Sequence, residues 1–156
     1  MREEQLTSQE KKYIEIQYDA VTQGYLRQYC LDNDFDLTYK FNGKRQDVED
    51  FDFHSTVIFS TSRHDFDNET VPTDITATAT GFALFGENQD ILVLEIESED
   101  LVAVRDYYVS TYDMTDEWPD YKPHITVCYQ YKGELPDVDL PDIDLTADKI
   151  NVKRQK

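Results

Sequence analysis

Two histidines of this sequence lie in matching contexts and offer proton-transfer chemistry. The first opens the segment His54–Phe59, HSTVIF, and the second opens His124–Tyr129, HITVCY. The chain has 3 histidines, and chance alone would rarely place x-Thr-Val after two of them, so the pattern indicates an internal repeat. Near pH 7 a neutral imidazole accepts a proton and an imidazolium donates one, so the pair can act as a base and an acid.

A threonine stands two positions after each histidine, at Thr56 and Thr126. Residues i and i+2 of a strand share a face about 6.6 to 6.8 Å apart, so each hydroxyl is expected beside its imidazole. Such hydroxyls can donate hydrogen bonds to oxygens on which negative charge accumulates during a reaction. No carboxylate has the spacing of a metal ligand around either histidine, although Asp52 leaves a metal site open. We therefore predict an acid-base site that uses neither a metal nor a cofactor.

Alternation of polar and apolar residues predicts the strands that carry these motifs. On Phe51–Ser60, Ile58 is expected on the histidine face and Phe59 on the opposite face. On His124–Tyr131, Cys128 is expected on the histidine face as a small buried spacer. Runs of β-branched and aromatic residues predict three further strands, at Ile75–Leu84, Asp90–Ile96 and Ile143–Val152.

Helical spacing of apolar residues predicts two helices. One covers residues 8–31 with Ser8 as its N-cap, and the other runs from its cap Asp100 to about Tyr112. The basic end, residues 149–156, is predicted as a solvated tail or as a cover for a cleft. The order of elements indicates an α+β domain with an antiparallel sheet, and 156 residues are enough for one such domain.

Charge and composition narrow the classes of partner. With 33 acidic and 15 basic residues, the formal charge of −18 repels polyanions and argues against binding to duplex DNA or acidic membranes. The 11 tyrosines and 8 phenylalanines favour a packed core over disorder. The 2 cysteines, Cys30 and Cys128, are typical of reduced thiols. No export signal and no membrane-spanning run is present in the sequence, so a cytoplasmic protein is expected.

The paired His-x-Thr motifs, each flanked by apolar strand residues and the second preceded by Pro123, resemble those of the two-histidine (2H) phosphoesterase superfamily. The resemblance covers about Phe51 to Tyr129. It implies a metal-independent phosphodiesterase with a LigT-like fold, in which two lobes of antiparallel sheet are related by pseudo-twofold symmetry, with helices outside a central cleft. The catalytic residues that it implies are His54, Thr56, His124 and Thr126.

Within that superfamily, the small size, the acidic balance and the segment Tyr121–Tyr129 (YKPHITVCY) most resemble the phage anti-CBASS enzymes. Those enzymes degrade cyclic nucleotide messengers of a host antiviral defence. The resemblance implies hydrolysis of cyclic di- or trinucleotides such as 3′,3′-cyclic GMP-AMP, in the host cytoplasm. It also implies in-line attack at phosphorus by a ribose 2′-hydroxyl or a water, with the two histidines as base and acid in an order that the sequence leaves open.

Four residues are candidates for substrate contacts. Trp118 and Tyr121 precede the second motif and could stack on a base, a contact worth about 1 to 3 kcal/mol. Lys122 could neutralise a phosphate at the rim of the cleft. Tyr25 is the nearest counterpart of the N-terminal tyrosine with which the phage group holds a base. That group also holds bases with aromatic and acidic residues near the C-terminus, and no tryptophan follows Thr126 in this sequence. The aromatic residues could instead serve packing.

Three rival functions stay open. An RNA 2′,3′-cyclic or 2′,5′-oligoadenylate phosphodiesterase would use the same four motif residues. Outside enzymology, the charge of −18 is compatible with an acidic decoy that mimics DNA. A nucleotide sponge would bind the same ligand and return it unchanged. The sequence also leaves open a homo-oligomer.

Overall fold

The computed structural model describes residues 10–62, 70–112, 114 and 121–155. Within these ranges the chain forms six strands, two helices and a single 3-10 turn at Val48–Asp50. In chain order the helices and strands are β1 (Glu10–Tyr18), α1 (Ala20–Asp32), β2 (His54–Ser62), β3 (Thr70–Phe85), β4 (Ile91–Glu97), α2 (Glu99–Tyr112), β5 (His124–Cys128) and β6 (Leu145–Gln155). The predicted α+β class is therefore confirmed.

The six strands form one open antiparallel sheet in the order β2-β1-β6-β3-β4-β5. The two strands that carry the histidine motifs, β2 and β5, lie at its two edges. The connection strand, helix, strand occurs twice, as β1-α1-β2 and as β4-α2-β5. Each motif strand thus pairs with the strand that precedes it in the chain.

The predicted helix over residues 8–31 is wrong in its first half. Residues Glu10–Tyr18 form strand β1, and α1 begins only at Ala20, where the Asp19 side chain caps the helix by accepting from the Thr22 amide at 2.9 Å. The predicted cap at Ser8 lies outside the described residues. In β1 the residues Ile14, Ile16 and Tyr18 alternate and are at most 2% exposed, so burial of one strand face overrides the helical spacing.

The cap of the second helix also differs from the prediction. The Ser98 hydroxyl, and not Asp100, accepts a hydrogen bond from the Leu101 amide at 3.0 Å. The Asp100 carboxylate instead accepts from the Thr76 amide at 3.1 Å, so it links α2 to β3.

The predicted basic tail is a strand of the sheet. Residues 149–155 belong to β6, which pairs with β1 on one side and with β3 on the other. Lys149 lies opposite Gln17, and Lys153 lies opposite Tyr13. The basic residues of this strand are therefore held in the middle of the sheet beside β1.

Each motif strand contains a β-bulge at the valine of the repeat. In β2, Ile58 and Thr56 lie opposite two consecutive residues of β1. In β5, Cys128 and Thr126 lie opposite two consecutive residues of β4. The extra residues are Val57 and Val127, both fully buried. A bulge shifts the side-chain alternation by one residue and is common beside active sites.

These bulges correct the predicted faces of both strands. Ile58 and Cys128 lie in the core, at 1% and 2% exposure, and not on the histidine face. Phe59 faces Tyr13 with ring centroids 6.2 Å apart. The aromatic residue of each repeat, Phe59 or Tyr129, is therefore brought to the face of its histidine and threonine.

The core occupies the side of the sheet on which the helices lie. Leu26 and Cys30 of α1 and Leu101 and Tyr108 of α2 are fully buried there. Burial of one such aliphatic or aromatic side chain stabilises the fold by about 1.5 to 3 kcal/mol. Both cysteines are free thiols, as predicted, and both are buried, which was predicted only for Cys128. In the described part of the chain, no helix is long and apolar enough to span a membrane.

Side chains join the two edges of the sheet. The Ser55 hydroxyl of β2 donates to the carbonyl oxygen of His124 in β5 at 2.7 Å, and the same hydroxyl bonds to the Tyr18 hydroxyl at 2.8 Å. The Tyr121 hydroxyl donates to the carbonyl oxygen of Thr56 at 2.7 Å. The motif strands are thereby held side by side although they are the most distant strands in the sheet order.

We expect the substitution Ser55→Ala to lower the free energy of unfolding by about 1 to 3 kcal/mol, because it leaves a carbonyl oxygen at the junction without its donor. Urea denaturation measures this change. The matched control is Ser110→Ala, since the exposed Ser110 hydroxyl bonds only within its own helix and should alter stability by less than about 0.5 kcal/mol. Equal effects of the two substitutions would contradict the assigned role of Ser55.

Candidate active site

The two histidine rings are anchored in the same way. Nδ1 of His54 lies 3.2 Å from the carbonyl oxygen of Asp52, and Nδ1 of His124 lies 2.9 Å from that of Lys122. Each acceptor belongs to the residue two positions before the histidine. A carbonyl oxygen only accepts, so it holds a proton on Nδ1 and leaves Nε2 free to exchange a proton with a ligand. The repeat in the sequence corresponds to a repeat in geometry.

Each motif threonine lies beside a tyrosine. The Thr56 hydroxyl bonds to the Tyr13 hydroxyl of β1, and the Tyr129 hydroxyl is close enough to the Thr126 side chain for that group to work to lower the pKa of Tyr129. Tyr129 is the aromatic residue of the second repeat, whereas its counterpart in the first repeat is Phe59, which packs on Tyr13. The two halves of the site therefore carry the same pair of hydroxyls, supplied from different positions in the chain.

His54 lies among carboxylates. Its Nε2 is 3.8 Å from Oε1 of Glu15 on β1, and its Nδ1 is 3.6 Å from Oδ2 of Asp52. Glu15 is only 1% exposed, and its Oε1 also lies 3.1 Å from Nζ of Lys153. Burial works to lower the pKa of His54, but the hydrogen bond to Asp52 and the charges of Glu15 and Asp52 outweigh it. The net result is a raised pKa, so His54 favours the protonated form.

His124 has the opposite balance. Its ring meets that of Phe85 edge to face with centroids 4.6 Å apart. Burial and the nearby charge of His54 lower the pKa of His124, and they outweigh the bond to the Lys122 carbonyl and the charge of Glu95. His124 therefore binds a proton less readily than His54 does. Opposite shifts in neighbouring histidines are the condition for one acid and one base at the same pH.

One group of side chains has the geometry of a metal site. The ligand atoms of Glu15, Asp52 and His54 lie within 4.8 Å of one another, and carboxylates with imidazole suit zinc and similar divalent ions. The Lys153 ammonium already meets the Glu15 carboxylate, so a metal ion would compete with it for that oxygen. The expectation that catalysis needs no metal stays a prediction, which removal of metal ions can test.

Tyr121 and Lys122 enter the site region along the segment before β5. The Tyr121 ring lies under the Arg105 guanidinium, 4.8 Å from the ring centroid, while its hydroxyl donates to the carbonyl oxygen of Thr56. These contacts connect α2 and β2, so Tyr121 has a positioning role. Lys122 is exposed, and its carbonyl oxygen accepts from His124. Base stacking by Tyr121 and phosphate binding by Lys122 stay predictions.

Tyr25 lies on α1 and contacts a different part of the chain. Its ring stacks on Tyr29 with centroids 6.5 Å apart, and its hydroxyl accepts from the Asp142 amide at 3.4 Å. Among the described residues, no hydrogen bond or ring contact joins Tyr25 to the four motif residues. Trp118 lies outside the described residues. The structure thus brings together His54, Thr56, His124 and Thr126, and leaves Tyr25 as a predicted contact for a more distant part of the ligand.

Sequence reasoning missed four side chains of the site. Tyr13 and Glu15 were hidden because their segment was predicted as a helix, although Glu15 between the apolar Ile14 and Ile16 is a strand pattern. Lys153 was assigned to a tail. Tyr129 was missed because an uninterrupted alternation places it on the wrong face. The sequence signal that could have identified Tyr129 is the aromatic residue at the last position of both repeats, Phe59 and Tyr129.

A comparison with protein families shows the family of the chain. The family model described as "Anti-CBASS protein Acb1" matches residues 26–155, which is most of the chain. The chain belongs to the Acb1 anti-CBASS family. All four motif residues lie inside the matched range, while β1 with Tyr13 and Glu15 lies before it. Membership in the Acb1 family indicates a function against CBASS defence and an interaction with cyclic nucleotide signals. No curated protein matches the chain significantly.

We expect His54 to titrate at a higher pH than His124. An NMR titration of the imidazole signals, assigned with the variants His54→Ala and His124→Ala, measures both pKa values. Glu15→Gln should lower the pKa of His54, because it removes a negative charge 3.8 Å from Nε2. The matched variant Glu95→Gln should instead lower the pKa of His124. An unchanged His54 pKa in Glu15→Gln, or the reverse order of the two histidines, would contradict the assigned electrostatics.

Proposed function

We propose that this protein is a metal-independent phosphodiesterase that hydrolyses cyclic di- or trinucleotide signals of the 3′,3′-cyclic GMP-AMP type and so counteracts CBASS. The observation that carries the proposal is the repeated geometry of the two histidines. Both rings are held through Nδ1 by the carbonyl two residues before, and their pKa values are shifted in opposite directions. Family membership points to cyclic nucleotides as the ligand class.

The opposite pKa shifts support an assignment of roles. His124, favouring the neutral form, is the general base and His54, favouring the protonated form, is the general acid. The titration described above tests this assignment, because the reverse order of pKa values would exchange the two roles. Thr56 and Thr126 stand beside the histidines as donors to the non-bridging phosphate oxygens.

In the proposed reaction, Nε2 of His124 takes the proton of a ribose 2′-hydroxyl, whose oxygen attacks the neighbouring phosphorus in line. The bond from phosphorus to the 5′-oxygen breaks, and His54 gives its proton to that oxygen. The product carries a 2′,3′-cyclic phosphate. Water can then open this ring to a 3′-phosphate, with His54 taking a proton from the water and His124 returning its proton to the 2′-oxygen. The second step restores both histidines to their initial states.

The local charges fit a phosphate ligand on an acidic protein. The formal charge of the chain is −18, yet Lys153 lies 3.1 Å and His54 3.8 Å from the Glu15 carboxylate, and with His54 protonated these two cations offset the charges of Glu15 and of Asp52, which lies 3.6 Å from His54. By register, Lys149 lies on the same face of β6 as Lys153. Attraction of phosphate therefore depends on this group of cations and not on the net charge.

The two-lobed superfamily architecture is part of the same proposal. The repeated connections β1-α1-β2 and β4-α2-β5, with the motif at the start of the last strand in each, support a pseudo-twofold relation between halves. In such an arrangement the phosphate lies between the motifs, and the bases extend to either side. Tyr25, Trp118, Tyr121 and Lys122 remain the predicted contacts for those outer parts.

The test is incubation of the purified protein with 3′,3′-cyclic GMP-AMP in EDTA, with products separated by chromatography. We expect cleavage through a 2′,3′-cyclic phosphate intermediate, and a loss of about 10²- to 10⁴-fold in rate for His54→Ala and for His124→Ala, because each removes one proton transfer. An analogue lacking the 2′-hydroxyl should not be cleaved. The control is Ser110→Ala, which alters only an exposed hydroxyl on α2.

Each alternative gives a different result when 2′,5′-oligoadenylate and RNA with a 2′,3′-cyclic end are added as substrates and counter-defence activity is measured in cells. Cleavage restricted to 2′,5′-oligoadenylate or to RNA with a 2′,3′-cyclic end would replace the proposed substrate class by the rival one. Cleavage that EDTA abolishes would replace the metal-independent chemistry by a metal site at Glu15, Asp52 and His54. Binding of the nucleotide without cleavage would identify a sponge. Counter-defence activity that survives both His→Ala variants would identify a decoy.

A further inference from the structure

The first motif threonine is hydrogen-bonded to a tyrosine. Thr56 bonds to the hydroxyl of Tyr13, and Tyr129 stands in the corresponding place beside Thr126. A threonine hydroxyl has a single proton and two acceptor positions. If the tyrosine donates, one acceptor position of the threonine is filled and its proton remains available for another acceptor. If the threonine donates, no proton is left for a ligand.

The chemistry of the two groups favours donation by tyrosine. A phenol is a stronger acid than an aliphatic alcohol, and its oxygen is a weaker acceptor, since the ring withdraws electron density. Burial raises the pKa of Tyr13 to about 12 and also raises the pKa of Tyr129. Both phenols therefore keep their protons over the pH range in which a pair of histidines works. The threonine protons are left to point away from the tyrosines.

The fold places a tyrosine hydroxyl beside each threonine from unrelated positions. Tyr129, the residue after β5, lies beside Thr126 because the bulge at Val127 brings it to the histidine face. In the first motif the same position holds Phe59, which has no hydroxyl, and Tyr13 from the neighbouring strand supplies one. Packing alone would need neither hydroxyl. Their recurrence on both threonines indicates a shared function.

We propose that Tyr13 and Tyr129 are positioning residues, each donating its phenolic hydrogen bond to Thr56 or Thr126 so that the threonine donates to a non-bridging oxygen of the scissile phosphate. The inference rests on the proposed function. Because charge on those oxygens rises during phosphoryl transfer, the orientation of the threonines matters most in the transition state. Loss of a tyrosine hydroxyl should therefore lower kcat more than it changes KM.

The experiment is a double-mutant cycle for each pair, measured with 3′,3′-cyclic GMP-AMP. Tyr13→Phe should lower kcat by about 3- to 10-fold, the factor that corresponds to one net hydrogen bond, with KM nearly unchanged. Adding Tyr13→Phe to Thr56→Val should cost nothing further, since the tyrosine acts through the threonine. The same holds for Tyr129→Phe and Thr126→Val. Thr56→Ser, which keeps the hydroxyl, should keep the dependence on Tyr13.

A swap of the hydroxyl gives a second measurement. In the background of Tyr13→Phe, the change Phe59→Tyr places a phenol where the second motif has Tyr129, and it should recover most of the lost kcat. The control Tyr131→Phe also removes one tyrosine hydrogen bond, from its hydroxyl to the Glu134 carbonyl at 2.6 Å, and should leave kcat unchanged.

These experiments distinguish failure of the positioning role from failure of the proposed phosphodiesterase activity. Losses that add in full in both cycles, or a swap that recovers nothing, would overturn the positioning role while the wild-type protein still cleaves its substrate. A wild-type protein that cleaves no cyclic dinucleotide would overturn the proposed function and the positioning role together. Non-additive losses of kcat, together with recovery of kcat by the Phe59→Tyr swap, would establish the positioning role.

Discussion

The hydrogen bond from Ser55 to the carbonyl oxygen of His124 holds together two strands that are farthest apart in the sheet order. Edge strands expose unpaired backbone groups, and this fold uses one of them to bring its second motif beside its first. Tyr18 supports the serine from the core, and Tyr121 adds a second link to the carbonyl of Thr56. These links hold the two histidine strands together across the two edges of the sheet.

A buried carboxylate then makes the two similar motifs unequal. Glu15 is 1% exposed, and a charge in such a place is costly unless other charges compensate it. Lys153 and His54 are the compensating groups, and the charge of Glu15 helps to raise the pKa of His54. Glu95 lies opposite His124, but its charge does not outweigh burial and the charge of His54, and the His124 ring packs against Phe85. The pKa values of the two histidines are thus separated by the carboxylates of Asp52 and Glu15 beside His54.

The sequence was sufficient for the class of fold and for the motif pair, because alternation and a repeated His-x-Thr pattern are local signals. It failed where tertiary packing decided the outcome. The segment with Ile14 and Ile16 has helical spacing, but it forms a strand because one face of it is buried. Glu15 was missed because it lies in this segment. The bulge at Val57 reversed the expected faces of the residues after it, because no rule of alternation anticipates an extra residue.

The central claim is that one phosphate is held between the two motifs, and a crystal structure with an uncleaved 2′-deoxy analogue of 3′,3′-cyclic GMP-AMP tests it most directly. The claim predicts a 5′-oxygen within about 2.6 to 3.2 Å of Nε2 of His54, with C2′ facing His124 and the non-bridging oxygens on Thr56 and Thr126. A phosphate that contacts only surface lysines, or a ligand bound away from all four residues, would contradict it.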